Sequence, residues 1–540
     1  MNDQITNPIL TGFNPDPSIC RAGENYYIAT STFEWFPGVQ IHHSKDLKNW
    51  EVVKHPLERT SQLNMAGNPD SGGVWAPALS WHDNQFWLIY SDIKQIDGIW
   101  KDGHNYLVTC DTIDGEWSEP VYLNSSGFDP SLYHDDDGRK YLLNMVWDYR
   151  PGNHRFYGIA LQEYDAEAET LIGKRQIIFT GTDIKLTEGP HIYKINGWYY
   201  LLTAEGGTTF DHAATIARSK SLFGPYEVHP ENPFITSWPY PRNPLQKAGH
   251  GSLVETQNGE WYFVHLTGRP LKEDQKPLLD PRGFCPLGRE TAIQKVYWEK
   301  EWPYIAGGNE PSLYVDGPGL SDEPQHSPSP FYSHFDTGTL DKSFQTLRVP
   351  LGENTLSFKD RPGYLRLYGK DSLTSKFTQA FAARRWQHFY FDAETAFQFD
   401  PDHFQQSAGM VCYYNTQNWV YFHVTHDESK GKILTLLTND HFQFDTPLQD
   451  NDIEVDRNVE TIYLKVSVRM DKYWFSYSFD GSTWTVVDVS FPSAKLSDDH
   501  IQGDGFFTGA FVGMQCQDSF SSKPADFEYF HYVPKEENEA

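Results

Sequence analysis

Basic residues are scarce in this chain: 44 Lys and Arg stand against 73 Asp and Glu, a formal charge of −29, and no basic run interrupts the deficit. A field of that sign repels phosphate backbones and anionic head groups, so neither nucleic acid nor a membrane surface is an expected partner. Cysteine is scarcer still. Cys20, Cys110, Cys285, Cys412 and Cys516 are odd in number, far apart and never in a CxxC pair, which argues against a disulfide framework or a zinc site and for reduced, buried thiols. Also missing are an apolar stretch long enough to span a bilayer, a basic-then-apolar leader in MNDQITNPIL, and any long amphipathic helical period. The expectation is a cytoplasmic protein built from strands.

What the chain has in abundance agrees with that. Aromatics make up 15% of 540 residues, with 41 Gly and 34 Pro, a composition suited to many short strands joined by tight turns. The length exceeds what one core usually organises, so two domains are expected. Flat aromatic rings also suit stacking on the apolar faces of sugars, although packing accounts for most of them.

One unit recurs five times: a small turn, a short apolar strand, a polar turn with Gly or Asn, then an aromatic-rich strand. The copies read NPDPSICRAGENYYIAT from Asn14, WAPALSWHDNQFWLIYS from Trp75, FDPSLYHDDDGRKYLLN from Phe128, EGPHIYKINGWYYLLTA from Glu188 and GHGSLVETQNGEWYFVHL from Gly249. Pro17, Pro77, Pro130 and Pro190 mark the first four at steps of 60, 53 and 60 residues, and Ser252 falls where a fifth belongs. That period fits one four-stranded blade. A blade cannot bury both faces alone, so five copies predict a five-bladed β-propeller over residues 1–305, with an open β-solenoid as the alternative.

Residues 306–330, rich in Gly, Pro and Ser and without apolar period, read as a linker. Beyond them, 331–540 carries alternating segments such as FYFDAETAFQF and TIYLKVSVRMDKYWFSYSFDG, which predict an antiparallel β-sandwich. The fold class is therefore all-β.

The repeat also predicts a site, because inner strands of a propeller begin near its axis. Asp16 and Asp129 occupy the same slot, immediately before the Pro of their copies, and Glu188 lies two residues before Pro190. Like charges gathered in a dry cavity push at least one pKa upward, and a protonated acid beside an ionised base is what glycosidic cleavage needs. In the inverting version one carboxylic acid protonates the leaving oxygen while the opposed carboxylate activates water. For any single copy, an Asp before Pro can equally be a turn cap. His250 opens the fifth copy and should face the channel, to orient a carboxylate, to stand near a cation, or simply to fill the core.

Together, NPDPS with Asp16, FDPS with Asp129, TEGPH with Glu188, TSTFEWFPGVQIHHSKDLKNW, GGVWAPALSW, GHGSLVE and GDGFFTGAFVG resemble the two-domain β-xylosidases of glycoside hydrolase family 43 along nearly the whole chain. The resemblance implies Asp16 as general base, Glu188 as general acid and Asp129 as the group that orients Glu188 and tunes its pKa. It further implies a sandwich of jelly-roll, concanavalin-like type that helps to close the pocket, with Phe33, Trp75 and Arg289 around a terminal xylose and Phe507 of the sandwich at the pocket wall; His250, from its place in the fifth copy, is counted with them as a substrate-binding residue. Trp75 offers a flat face and Arg289 paired donors; blade core and a structural ion pair are their plain alternatives. Phe506 competes with Phe507, since strand neighbours face opposite ways.

The implied activity is release of xylose from the non-reducing ends of xylo-oligosaccharides, an exo action suited to a dead-end pocket, with α-L-arabinofuranosidase activity as companion or rival. No cofactor is required under this reading, a Ca2+ or other divalent cation near His250 is compatible with it, and family members suggest a dimer or tetramer. The rival of a different class is a non-catalytic carbohydrate-binding propeller.

Overall fold

The computed structural model describes residues 3–271, 282–501 and 505–537. Five antiparallel meanders of four strands follow one another along the first unit, the fourth gaining a fifth strand where Ile235–Thr236 pairs with Ala213–Ser219. Their innermost strands are Ser18–Ala22, Gly73–His82, Gly127–His134, Glu188–Ile195 and Gln246–Glu255. This is a five-bladed propeller. In the second blade the next strand, Gln85–Gln95, is buried along most of its length, whereas Thr170–Phe179, outermost in the third, mostly faces solvent. Blades stacked face to face bury both sides of their second strands, which is why Gln85–Gln95, Lys140–Trp147 and Trp198–Glu205 read as apolar, aromatic-rich runs.

The ring closes through its N-terminal segment. Gln4–Thr6 pairs antiparallel with Tyr314–Asp316, and Asn7 donates to the carbonyls of Ile293 and Ser312 at 2.8 and 2.9 Å. Ile5, Ile9 and Leu10 fill the same cluster as Ile28 of the first blade and Val264 and Ile293 of the fifth. Residues 306–330 are therefore not a plain linker: Val315 is buried in that cluster, and the first unit runs to His326. A Gly- and Pro-rich stretch has no apolar period to betray such a strand.

The second unit comprises Ser327–Ala540 and also Phe284–Gly288. Leu287 lies in its core, and Pro286 accepts the Ala510 N–H at 2.8 Å. Two antiparallel sheets, one built around Tyr390–Gln398 and Pro524–Pro534, the other around Ser407–Asn415 and Phe511–Gln517, enclose one apolar cluster. Inward residues alternate along them as in Thr461–Arg469, where Ile462, Leu464 and Val466 are fully buried. All five cysteines are free and buried. No helix among the described residues is long and apolar enough to cross a membrane.

Candidate active site

A repeated backbone device aims side chains at the propeller axis. The residue before each marker proline has positive φ: Asp16 and Asp129 at 53°, Ala76 at 30° and Gly189 at 56°. The strand register slips at the same place in the second, third and fourth blades. Such a bulge bends the strand and redirects the residues beside it. Asp tolerates the left-handed region better than most residues, which suits it to this slot. In the fourth blade the slot belongs to Gly189, so Glu188 stands one position earlier, equivalent to Trp75 and Phe128. Gly189 has a physical reason to lack a side chain, because a Cβ there would lie 2.7 Å from Nε2 of His250.

Serines following the prolines lace the blades together. Ser18 Oγ accepts the Leu79 N–H at 3.0 Å, Ser252 Oγ donates to the Pro17 carbonyl at 3.1 Å, and Ser131 Oγ donates to that of Pro190. This lacing brings Asp16, Asp129 and Glu188 together, each 6% exposed. Gly189 N–H donates to Asp129 Oδ2 at 3.1 Å, tying the third blade to the residue beside Glu188.

The three carboxyls differ in their surroundings. Asp16 accepts from Ser31 Oγ at 2.6 Å and from Arg289 Nη1 at 3.1 Å, and His250 Nδ1 lies 3.7 Å away. Burial works against its charge, but Arg289, His250 and Ser31 outweigh it and leave the pKa below the ordinary value. Glu188 has no such cluster of donors. Burial first, then the Asp16 charge, push it up to about 8, with Arg289 and Lys101 pulling the other way. Asp129 is raised well above the ordinary range by burial, then by Glu188 and Asp16. Asp129 and Glu188 thus titrate as a pair that retains a proton where Asp16 has lost its own.

Buried rings pack together beside Arg289. Trp75 donates from Nε1 to the Ser71 carbonyl at 2.7 Å, which fixes its plane, and meets Phe128 edge-on at 5.2 Å and Phe33 at 6.1 Å. Arg289, 2% exposed, lies 5.6 Å from the Phe33 centroid. A buried carboxyl whose surroundings favour its ionised form, a second whose surroundings favour its protonated form, and a buried guanidinium therefore belong to one cluster.

Residues 5–303 match Glycosyl hydrolases family 43, and residues 333–533 match the β-xylosidase C-terminal concanavalin A-like domain. The chain belongs to glycosyl hydrolase family 43. The β-xylosidase of Bacillus subtilis (strain 168) is 60% identical over 533 residues, covering 98% of this chain and 100% of the relative. The xylosidase/arabinosidase 43B of Humicola insolens is 48% identical over 543 residues, 98% of each chain. Among solved structures, the xylan β-1,4-xylosidase of Bacillus halodurans C-125 aligns with a TM-score of 0.94 at 52% identity, covering 98% of this chain and 100% of the other.

Three residues of this family-43 enzyme escaped the sequence reading. Ser31 accepts the Ala76 N–H at 2.8 Å while holding Asp16, so it links the first two blades at the base of the site. Lys101 Nζ stands 5.1 Å from the Trp75 centroid and 4.8 Å from that of Trp147. His212 Nε2 accepts the His250 N–H at 2.9 Å. Ser31 falls just past the first quoted copy, in the register that Ser91 and Asn144 hold at the ends of the second and third, so the repeat carried a signal for it; Lys101, a cation beside Trp100 in an acidic chain, offered another, and His212 none.

The side chains around His250 do not suit a divalent cation. Hard cations take several oxygen ligands, yet the carboxylate oxygen paired with His250 is the one that Arg289 already holds. His212 and His191, driven down to about 3 by burial, add nitrogens rather than oxygens. The two groups of candidate metal ligands among the described residues, Asp440–His441–His500 and Cys285–Asp498–Asp499, belong to the second unit. Phe507 is also in that unit, half-buried, with its ring 4.4 Å from that of Phe506; Phe506 packs against the sandwich core.

Proposed function

We propose that this enzyme releases xylose from the non-reducing ends of xylo-oligosaccharides with inversion at the anomeric carbon. The observation that carries the reading is the contrast between two buried carboxyls: Asp16 accepts from Ser31 and Arg289, which favours its ionised form, whereas burial and the Asp16 charge favour the protonated form of Glu188. Asp16, held ionised by Arg289 and Ser31, takes a proton from water as the water oxygen bonds to the anomeric carbon. Glu188 gives its proton to the glycosidic oxygen as the bond from that carbon breaks. Asp129, braced by Gly189, keeps Glu188 placed and protonated until it is needed. Phe33 and Trp75 supply faces for a terminal pyranose, and Arg289 and His250 border it with donors.

The choice of sugar is supported by the printed activities of the relatives, a β-xylosidase at 60% and a xylan β-1,4-xylosidase at 52% identity. The xylosidase/arabinosidase at 48% supports a second activity on terminal α-L-arabinofuranose. Proton NMR of a xylotetraose digest tests the reading: α-xylose is expected first, released one residue at a time. Early β-xylose, or xylobiose as primary product, contradicts it. Parallel kcat/KM values for nitrophenyl xyloside and nitrophenyl arabinofuranoside rank the two sugars.

A further inference from the structure

Large exposed aromatics ask for an explanation when they are paired and held still. Trp100 and Tyr149 are 51% and 49% exposed, and their rings stack at 4.4 Å with 28° between planes. They come from different blades. Trp100 lies in the turn between Gln85–Gln95 and Asp102–Cys110, and Tyr149 in that between Lys140–Trp147 and Phe156–Asp165.

Strand direction fixes where those turns lie. Gly73–His82 runs away from the catalytic end, and Gln85–Gln95 returns, so that Ser91 pairs with Trp75 and the following turn emerges on the catalytic face. In the third blade Val146 pairs with Gly127, two residues before Asp129, and places the Tyr149 turn on the same face. Both turns are pinned. Trp147 donates from its indole to the Ile99 carbonyl at 3.0 Å, joining the two. Asp148 accepts from Arg150 Nη2 at 2.7 Å and from Asn153 at 2.8 Å, bracing the turn that carries Tyr149. A platform that is already ordered loses little entropy when a ligand stacks on it.

The pair also lies on the side where the substrate departs. Lys101, the neighbour of Trp100, reaches inward over Trp75, Phe128 and Trp147, and its charge acts on Glu188. Glu188 delivers its proton to the leaving oxygen, so the remainder of the oligosaccharide must pass this flank. We propose that Trp100 and Tyr149 form a stacking platform for sugar residues on the leaving-group side of the scissile bond. The platform would make the enzyme favour oligosaccharides over xylosides with small aglycones. The inference rests on the reading of Glu188 as the acid. A second copy of the chain is a poorer occupant, since two side chains fall far short of the roughly 800 Å² per partner of a standard interface.

The test compares xylotetraose with β-D-xylosyl fluoride, whose leaving group carries no sugar. In the Trp100→Ala/Tyr149→Ala double variant, the ratio of kcat/KM for xylotetraose to that for the fluoride is expected to fall at least tenfold. The Trp100→Phe/Tyr149→Phe variant, which keeps the rings, should recover most of it. An unchanged ratio, or equal losses on both substrates, overturns the platform. So does an unchanged ratio with altered sedimentation, which would make the pair a contact between copies. If the wild-type protein cleaves the fluoride but no xylo-oligosaccharide, the substrate reading fails instead, and arabino-oligosaccharides of the same lengths put the platform to the same comparison.

Discussion

Arg289 donates to Asp16 at 3.1 Å although 273 residues separate them along the chain. The fifth blade thereby sets the charge of a carboxylate delivered by the first. The same guanidinium also draws Glu188 downward, so one buried cation influences both groups to which the proposed mechanism assigns opposite protonation states.

Replacing Arg289 by Met should lower kcat/KM by about two orders of magnitude, the scale of losing a buried charge-stabilising donor. The acidic limb of the pH profile should also move to higher pH. Arg289 holds the Asp16 pKa below its ordinary value; without it that pKa rises, and ionised Asp16 is lost sooner as pH falls. Lys101→Met should shift the alkaline limb upward, because Glu188 loses a cation that pulls its pKa down. Profiles on nitrophenyl xyloside between pH 4 and 10 read both limbs, and limbs that stay in place refute the assignment.

Fluoride departs without needing a proton, whereas a sugar alkoxide does not, which separates acid from base. Glu188→Gln should lose about 10³-fold or more on xylobiose and retain much of its kcat on β-D-xylosyl fluoride. Asp16→Asn should lose both activities, since water still needs its base. The opposite pattern would exchange the two roles.

Glu188 should also weaken the fold at neutral pH. Its pKa is raised from the ordinary 4.5 to about 8 on burial, so between those values the folded chain holds more of a proton than the unfolded chain. Stability then declines as pH rises across that window. Calorimetry should show Glu188→Gln melting above the wild type at pH 7.5 and level with it at pH 4.5. A variant that melts lower at pH 7.5 would mean that the carboxyl stabilises the fold.

Much of the architecture was legible in the residues. Five spaced copies specified five blades, because each copy is a short covalent segment whose turn and strand preferences act locally. The slots of Asp16, Asp129 and Glu188 at the starts of inner strands followed from the same register. The strand Tyr314–Asp316 did not, since its partner Gln4–Thr6 lies at the other end of the chain, and neither did the attachment of Phe284–Gly288 to the sandwich unit.

By itself, then, the sequence determined the blade count, the all-β class and which carboxylates open which strands, all properties of segments a few tens of residues long. Only the tertiary structure decided which carboxyl is ionised, that Ser31 and Arg289 hold it so, and that Lys101 stands among the rings beside Glu188. Protonation follows from exclusion of water and from charges a few ångströms away in space, and the groups that supply both come from blades distant along the chain.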